Sequence, residues 1–367
     1  MSMDIKELVE IDGSYLEGGG QALRNALSLS SILRRPIRVV KIRANRPKPG
    51  LANQHLHAVN MLRDITNADV IGNALLSTEL EFRPRTIIGD MYREDTHTAA
   101  SITLIYQTIL PVLLFAGRPS RVDVTGGTNV SFAPQVEYML QVLQPNLKRF
   151  GIGFELKVLH YGFFPRGNGR CQLDVEPVRQ LSAGQFLDFG QPQTVDGVAF
   201  CAGRIPMSLA TDMQETATRE IHKLWPYQDC RIQVIKHSPD KARDNGAGIV
   251  MVAHTSTGCV LGSSALGQKK VLADMLGSEA SSQLAGYMSK EICVDANLQD
   301  QLIIFMALAS GCSRFRTGPL TQHTRTAIYV AEKMTGVKFC VDINQSGQTV
   351  VSCEGIGYRN EFIQRNE

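Results

Sequence analysis

The spacing of apolar positions predicts one structural plan three times along the chain: a short strand, a turn with Gly or Pro, a helix and two further strands. In the first copy, alternating apolar residues predict a strand over 37–43. Leu56, Val59 and Leu62 then recur at the spacing of a helix that begins near Gln54. The strands that open the three copies begin near residues 37, 122 and 314. An apolar helix is predicted before each of them, at 21–33, 100–115 and 301–309.

The distances between these copies predict an inserted domain. Equivalent strands lie about 85 residues apart between the first two copies and about 192 apart between the last two. The surplus of about 107 residues falls at 186–292, where a separate alternation of strands and helices predicts an autonomous α/β unit. We therefore expect residues 1–185 and 293–367 to form one catalytic domain of three repeats, which the insert interrupts.

Composition places the chain among ordinary globular proteins, since 43% of its 367 residues are hydrophobic and 20% are charged. The first ten residues, MSMDIKELVE, carry acids where a secretory signal needs an apolar core. The most apolar run, 104–116, is too short to cross a bilayer and contains Gln107 and Pro111. We expect an intracellular, soluble protein that does not enter a membrane.

The eight cysteines all lie at or beyond Cys171 and are widely spaced. No C-x-x-C pair occurs among them, so the sequence predicts neither a disulfide framework nor a zinc site. This usage is typical of a reducing compartment.

The distribution of charge is more informative than the net charge of +3. Between Glu17 and Asp64 there is no acidic residue, whereas nine lysines and arginines occur there. Such a stretch predicts an anionic partner. Arg43 and Arg46 precede a proline-stiffened turn, where two guanidinium groups can each bind phosphate oxygens through two hydrogen bonds. A solvated basic face is the alternative.

Glu17-Gly18-Gly19-Gly20 lies between a predicted strand and the first helix, and it matches neither a Walker loop nor a dinucleotide-binding motif. The three glycines permit close approach of a ligand to the backbone, or they simply form a tight turn. Glu17 is a candidate metal ligand or a solvated loop acid. Arg24 falls in the first turn of the helix, where a cation is unfavourable unless an anion compensates it.

His323 follows a Gly318-Pro319 turn and lies where a helical pattern begins. The partial positive charge of a helix N-terminus disfavours the imidazolium ion and attracts phosphate. A neutral imidazole beside a bound phosphate can act as a nucleophile. A surface or capping histidine is the alternative interpretation.

Three further polar residues occupy helix positions. Gln107 lies among apolar residues and needs a partner if it is buried, for which a structural hydrogen bond is the simplest explanation. Asp300 precedes an almost entirely apolar helix, so capping of the helix N-terminus is its default role. Gln54 begins the helix that follows the basic stretch.

These motifs together resemble the RNA 3′-terminal phosphate cyclases, and the resemblance spans nearly the whole chain. The segments that carry it are Glu17–Gln21 with Arg24, residues 41–56, Gly126-Gly127-Thr128 with Pro134, Asp300-Gln301-Leu302, and His323. The resemblance implies an α/β (α+β) fold of three βαβαββ-type repeats like the C-terminal domain of translation initiation factor 3. It also implies that the insert is a smaller, thioredoxin-like domain.

The resemblance further implies an ATP-dependent enzyme. His323 would attack the α-phosphate of ATP to give histidyl-AMP, and the AMP would pass to an RNA 3′-phosphate. The neighbouring 2′-hydroxyl would then displace the AMP and leave a 2′,3′-cyclic phosphate. A divalent cation, Mg²⁺ or Mn²⁺, is implied as well. RNA 3′ ends are the implied partner, a homodimer is the assembly considered, and a nuclear location follows if the source is eukaryotic.

By the same resemblance, each matched residue receives a role. Glu17 would bind the metal and the nucleotide, and three arginines would bind phosphates: Arg24, Arg43 and Arg46. Three residues would orient or activate the histidine and its nucleotide: Gln54, Gln107 and Asp300.

Two positions depart from the family pattern. Asn168 interrupts a glycine-rich signature at 161–169, and asparagine tolerates the left-handed conformations that glycine adopts. Asn297 stands where the family often has Tyr, so one nucleotide contact is expected to differ.

Two other classes are compatible with parts of the pattern. One is a non-catalytic, cyclase-like ribosome-biogenesis protein, which would lack the nucleophile that His323 supplies. The other is an enolpyruvyl transferase, which is built from related repeats and should lack this set of Arg, Gln and His residues.

Overall fold

The computed structural model describes residues 8–363, which fold into a mixed α/β structure with four sheets of four strands each. The strands in chain order are β1 (Val9–Asp12), β2 (Ile37–Val40), β3 (Asp69–Ile71), β4 (Leu80–Arg83), β5 (Met91–Asp95), β6 (Ser120–Gly126), β7 (Phe154–His160), β8 (Gly169–Val175), β9 (Gln185–Phe186), β10 (Pro192–Ala202), β11 (Asp229–Lys236), β12 (Gly246–Thr255), β13 (Val260–Leu266), β14 (Ser310–Thr317), β15 (Phe339–Ile343) and β16 (Thr349–Ile356). The α/β class is therefore the predicted one.

The helices connect these strands and cover the sheets. They are α1 (Gln21–Leu33), α2 (Asn53–Thr66), α3 (Ile102–Leu113), α4 (Val136–Tyr138), α5 (Gln144–Leu147), α6 (Met207–Leu224), α7 (Ala273–Ser289), α8 (Gln299–Leu308) and α9 (Gln322–Thr335). A five-residue π segment joins α4 to α5, so the two form one continuous helical run. Pro145 explains the irregularity, because proline has no N–H to donate to the preceding turn.

Three of the sheets share one topology. Their strand orders are β1-β2-β4-β3, β5-β6-β8-β7 and β9-β14-β16-β15. In each sheet the first two strands pair in parallel and the other pairs are antiparallel. Helices α1, α3 and α8 occupy the same place, directly before the second strand of their sheet. The likeness of these units to initiation factor 3 stays a prediction.

The fourth sheet has the order β11-β10-β12-β13, and it carries α6 and α7. Its strands and these two helices lie within the predicted 186–292 segment, between β9 and α8. The division of the chain into 1–185 with 293–367 and a thioredoxin-like insert stays a prediction.

The sequence pattern did not predict two of the strands, β5 and β9. β5 pairs in parallel with β6, but its five side chains alternate between exposed and partly exposed, so no apolar alternation marks it. β9 has only two residues. The predicted strand over 37–43 is also too long, because β2 ends at Val40 and Lys41 and Arg43 have φ angles of 52° and 53°.

A buried carboxylate joins the fourth sheet to the rest of the chain. Asp295 precedes α8 and is fully buried, and its Oδ1 accepts a hydrogen bond of 2.7 Å from the Tyr138 hydroxyl. Its Oδ2 accepts a 2.8 Å bond from the backbone N–H of Gly262 in β13. Burial raises the pKa of Asp295 to about 6, which these hydrogen bonds oppose.

No helix within residues 8–363 is long and apolar enough to cross a membrane.

The Tyr138→Phe substitution should destabilise the protein, because it removes one hydrogen bond to a buried carboxylate and leaves Oδ1 of Asp295 with only the backbone N–H groups of Asn297 and Leu298. We expect the free energy of unfolding to fall by about 1–3 kcal/mol in urea denaturation. Tyr227→Phe is the matched control, since Tyr227 is fully exposed and its change should stay within about 0.5 kcal/mol. Equal effects of the two substitutions would contradict the role of the Tyr138 hydroxyl.

Candidate active site

The glycine loop before α1 is shaped by side chains that pack directly on its backbone. Gly18 has a φ angle of 58°, and a Cβ there would overlap the side chain of Asn45. A Cβ on Gly19 would lie 2.7 Å from Glu17 Oε1, and one on Gly20 would overlap Nε2 of His55. The glycines are therefore required because groups of the candidate site approach the loop closely.

Glu17 links this loop to the predicted nucleophile. Its Oε1 forms an ion pair with Arg46, and its Oε2 lies 2.8 Å from His323 Nδ1. The second pair is close in distance without hydrogen-bond geometry, so Oε2 is buried with no hydrogen-bond partner among the described residues. A carboxylate oxygen in that state is suited to a cation.

His323 is the second residue of α9, and 48% of its side chain is exposed. Thr321 caps the helix by accepting a 3.1 Å hydrogen bond from the backbone N–H of Thr324. The helix therefore begins where the sequence predicts. Burial lowers the pKa of His323 below its ordinary value, and Arg24 and Arg46 lower it further, whereas Asp300 opposes the shift. The imidazole is thus neutral near pH 7.

Gln299 fixes the turn that carries His323. Its Oε1 accepts a 2.8 Å hydrogen bond from the hydroxyl of Thr324 and a 3.2 Å bond from the backbone N–H of Thr321. Its Nε2 donates to Thr317 Oγ1 at 2.7 Å. Gln299 is buried at the start of α8, so it holds the N-terminal turns of α8 and α9 together.

Asp300 does not cap its helix, and the capping prediction for this residue is wrong. α8 begins at Gln299, which makes Asp300 its second residue, and the position before the helix is Leu298. The carboxylate instead accepts a 2.7 Å hydrogen bond from Nε2 of Gln21 at the start of α1. Burial raises the pKa of Asp300, while His323 and Arg24 oppose this shift. A tertiary contact has replaced the local capping bond.

Gln21 connects Asp300 to Arg24. Its Oε1 accepts a hydrogen bond from the Arg24 guanidinium, while its Nε2 donates to Asp300. Burial lowers the pKa of Arg24 to about 10, and the charge of Asp300 opposes this shift. Arg24 therefore remains charged near neutral pH. α1 has no acid in its first turn and no side-chain cap, so this end of the helix is strongly positive.

Arg43 stabilises the loop that follows β2. Its guanidinium donates hydrogen bonds to the backbone carbonyls of Lys48 and Gly50, at 2.9 and 2.8 Å, and so closes the loop that follows β2. Burial lowers its pKa from the ordinary value. The same loop places Arg46 against Glu17.

His55 belongs to the site although the sequence interpretation assigned it no role. It lies at the start of α2 with 4% of its surface exposed, and its Nδ1 has no hydrogen-bond partner among the described residues. Burial holds its pKa well below the ordinary value, and Arg24, Arg43 and Arg46 act in the same direction. The signal in the sequence was its position within the acid-free stretch.

Gln107 reaches the same region from α3. Its Nε2 donates a 2.9 Å hydrogen bond to Gln301 Oε1, and Gln301 Nε2 donates a 2.6 Å bond to the carbonyl of Asn297. Gln21, Arg24, Gln107 and Gln301 line one cavity of about 20 Å³. This volume is about that of one water molecule.

Not all predicted site residues touch one another. Within residues 8–363, the side chains of Arg43, Gln54 and Gln107 form no hydrogen bond or ion pair with another predicted site residue, although the carbonyl of Arg43 accepts a 3.0 Å hydrogen bond from the backbone N–H of Arg46. Gln54 is the second residue of α2 and directly precedes His55. The other predicted residues form two groups. In one, Glu17 contacts both Arg46 and His323. In the other, Gln21 forms hydrogen bonds with both Arg24 and Asp300.

The basic stretch is only partly directed at this site. Arg38 pairs with Glu79 at 2.7 Å, and Arg34 pairs with Glu361 at 2.8 Å. Acids from distant segments thus balance cations that looked uncompensated in the sequence. Arg24, Arg43 and Arg46 are the cations of this stretch that act on His55.

The divalent cation implied by the resemblance fits a shared site. Within residues 8–363, no group of three or more His, Cys, Asp and Glu side chains could hold a metal ion by itself. Mg²⁺ commonly binds through one or two carboxylates together with phosphate oxygens of a substrate and water. The buried, unpartnered Oε2 of Glu17 fits the carboxylate in such a set.

Comparisons with known proteins point to one family. The family model described as RNA 3′-terminal phosphate cyclase matches residues 15–341. The RNA 3′-terminal phosphate cyclase of Drosophila melanogaster is 65% identical over 98% of this chain and 100% of its own length. The one of Pyrobaculum aerophilum is 37% identical over 95% of this chain and 99% of its own, and a probable one of Dictyostelium discoideum is 37% identical over 95% and 83%. The chain therefore belongs to the RNA 3′-terminal phosphate cyclase family.

Proposed function

We propose that this chain is an enzyme that uses ATP to convert an RNA 3′-terminal phosphate into a 2′,3′-cyclic phosphate, through an adenylate on His323. The activity follows from the family, whose named relatives cover nearly the whole chain. The observation that supports His323 as nucleophile is its setting. A half-exposed imidazole with a lowered pKa begins a helix and faces Glu17 beside the Glu17–Arg46 ion pair.

In the first step, a ring nitrogen of His323 attacks the α-phosphorus of ATP. A phosphorus–nitrogen bond forms, the bond to the β-phosphate oxygen breaks, and pyrophosphate leaves. Nδ1 faces Glu17, which leaves Nε2 as the nitrogen that can reach a substrate. The lowered pKa keeps a lone pair available without a separate base.

Arginine side chains and a helix N-terminus would stabilise the negative charge of the phosphates. Arg24 and Arg46 lie close enough to lower the pKa of His323, and Arg43 closes the loop that carries Arg46. The N-terminus of α1 adds backbone N–H groups that no side chain caps. Glu17 would hold the divalent cation, which supplies charge neutralisation for the leaving pyrophosphate.

Asp300 and the glutamines orient these groups. Through Gln21, Asp300 fixes the guanidinium of Arg24, and its charge opposes the lowering of the His323 pKa. Gln107 and Gln54 flank the same region from α3 and α2, where we assign them to the nucleotide.

In the second step, an oxygen of the RNA 3′-phosphate attacks the histidine-bound phosphorus, and His323 leaves as neutral imidazole with the Nδ1 proton that it carried throughout. The RNA end then carries AMP through a pyrophosphate linkage. In the third step, the neighbouring 2′-oxygen attacks the RNA phosphorus, loses its proton and expels AMP. This attack is intramolecular, so positioning contributes most of the rate.

The alternatives explain less of the site. A non-catalytic ribosome-biogenesis protein would not need a neutral histidine with this arrangement of charge around it. An enolpyruvyl transferase does not match the family found for the chain. A homodimer and a nuclear location stay predictions.

The His323→Ala variant should take up no label from ATP labelled at the α-phosphate, because no other imidazole occupies the site in an exposed position. The wild-type adduct should be labile to acid, as expected for a phosphorus–nitrogen bond. His254→Ala, in β12 of the fourth sheet, serves as the control and should label normally. Labelling of His323→Ala at the wild-type rate would refute the assignment.

The pH dependence of adenylylation should respond in opposite directions to two substitutions. Removing the cation of Arg46 favours the imidazolium, so Arg46→Gln should raise the pKa of His323 and move the acidic limb to higher pH. Removing the negative charge of Asp300 disfavours the imidazolium ion. Asp300→Asn should therefore lower the pKa of His323 and move the acidic limb of the pH profile to lower pH. Single-turnover rates between pH 4 and 8, about the range in which histidine titrates, measure both shifts. Shifts of equal sign would contradict this arrangement of charges.

An RNA that ends in a 2′-deoxy, 3′-phosphate nucleotide should separate the last two steps. It should accept AMP and stop, because no 2′-hydroxyl can displace the AMP. The all-ribose RNA should give cyclic phosphate and free AMP. Mass spectrometry distinguishes the two products. If the deoxy RNA carries no AMP while the ribose RNA cyclises, the stepwise route is wrong.

A further inference from the structure

Two neighbouring loops of the second sheet present aromatic rings to solvent. The loop 127–134 follows β6, and the loop 161–168 connects β7 to β8. They are held together at Thr128, whose backbone N–H donates a 2.9 Å hydrogen bond to the carbonyl of Gly162. In return, the N–H of Gly162 donates to the Thr128 hydroxyl at 3.1 Å. The two loops therefore form one surface.

Phe132 and Phe164 are the aromatic residues of this surface that the fold does not bury. Phe132 is 99% exposed and Phe164 is 77% exposed. Exposed phenylalanine contributes no hydrophobic stabilisation to the folded chain. Phe132 also has a φ angle of 64°, a conformation that is unfavourable for an aromatic residue. Burial in the fold therefore does not account for the position of either ring.

The surface is continuous with the candidate active site through the start of α3. A Cβ on Gly167 would overlap the carbonyl of Thr98, so the second loop lies directly against that residue. The Thr98 hydroxyl in turn accepts a 3.3 Å hydrogen bond from the side chain of Asn53, two residues before His55. Two contacts, Asn53 with Thr98 and Thr98 with Gly167, thus connect the start of α2 to the loop that carries Phe164.

The first loop reaches the site by a second route. The carbonyl of Pro134 accepts a 2.8 Å hydrogen bond from the hydroxyl of Thr103, which lies one helical turn before Gln107. Phe132 precedes Pro134 by two residues. The two loops that carry the rings therefore contact the N-terminal part of α3 and the segment directly before it.

Three cations, Arg166, Lys241 and Arg243, lie on the segments that carry or adjoin the rings. The Arg166 side chain is 76% exposed and lies 3.9 Å from its nearest carboxylate, on Asp244. In the adjacent segment Lys241 and Arg243 are exposed beside the acids Asp240 and Asp244, and the Lys241 carbonyl accepts a hydrogen bond from the N–H of Tyr161. Isolated rings separated by cations are typical of surfaces that bind single-stranded nucleic acid, where bases stack on aromatic side chains.

We infer that Phe132 and Phe164 form a stacking platform for the unpaired nucleotides that precede the 3′-phosphate of the substrate RNA. The inference rests on the proposed function, because it needs an RNA end at His323. Stacking on a ring does not depend on base identity, so the platform would give affinity for an RNA end without selecting a sequence.

Replacement of either ring by Ala should raise the KM for a 3′-phosphorylated RNA of about ten nucleotides by about 5- to 100-fold, since a stacked base contributes on that scale. A substrate of about two nucleotides should not reach the platform, so its KM should stay unchanged. Adenylylation of His323 by ATP alone should also stay at the wild-type rate. Tyr227→Ala removes an equally exposed ring from the fourth-sheet region and should leave every value unchanged.

Two sets of variants separate stacking from a structural role. Phe164→Trp and Phe132→Trp should keep the wild-type KM for the long RNA, whereas the leucine variants should behave like alanine. Phe132→Gly relieves the unfavourable φ angle, so its Tm should equal or exceed that of the wild type while its KM rises.

The stacking platform is refuted if the alanine variants keep the wild-type KM for the long RNA, if leucine restores it, or if the short RNA is affected equally. The same measurements report on the proposed function separately. A wild-type chain that takes up no AMP and cyclises neither RNA contradicts that function. Normal wild-type cyclisation together with unchanged alanine variants contradicts the platform alone.

Discussion

The hydrogen bond from Gln21 Nε2 to Asp300 Oδ2 joins the first turns of α1 and α8, at residues 279 positions apart in the chain. Both helices occupy the same place in sheets of the same strand order, and α3, the corresponding helix of the remaining sheet, adds Gln107 through its bond to Gln301. Each helix N-terminus carries a partial positive charge. The N-termini of α1 and α8 therefore meet at this bond, Gln107 joins from the middle of α3, and the positions of the candidate catalytic groups depend on this junction.

The electrostatic balance at this junction determines the state of the nucleophile. Arg24 and Arg46 disfavour the charged form of His323, as does burial, whereas Asp300 favours it. The outcome is a neutral imidazole that keeps its lone pair, directly beside the arginines to which we assign the phosphates. Glu17 contributes in another way, because one of its oxygens binds Arg46 and the other is left for a cation. A single carboxylate thus connects the metal, the phosphates and the nucleophile in the proposed reaction.

The balance of charge around His323 also depends on glycines, because neighbouring side chains pack directly on their backbone. Gly20 leaves room for the ring of His55, and Gly18 leaves room for Asn45. Any larger residue at either position would push the loop away from the groups that line the site. In the same way, Gly167 allows the loop 161–168 to lie directly against Thr98. In the proposed reaction, the nucleotide site and the RNA site would each depend on such close backbone contacts.

The sequence by itself determined the α/β class, most strands and helices, and the start of α9 at His323, because periodic burial and helix capping are local properties. It missed β5, whose side chains are not buried, and it assigned Asp300 to a cap that a distant Gln21 supersedes. It also could not show that Arg38 is balanced by Glu79. Only the tertiary structure decided which polar groups meet, since desolvation and ion pairing depend on distances between segments that the linear order leaves open.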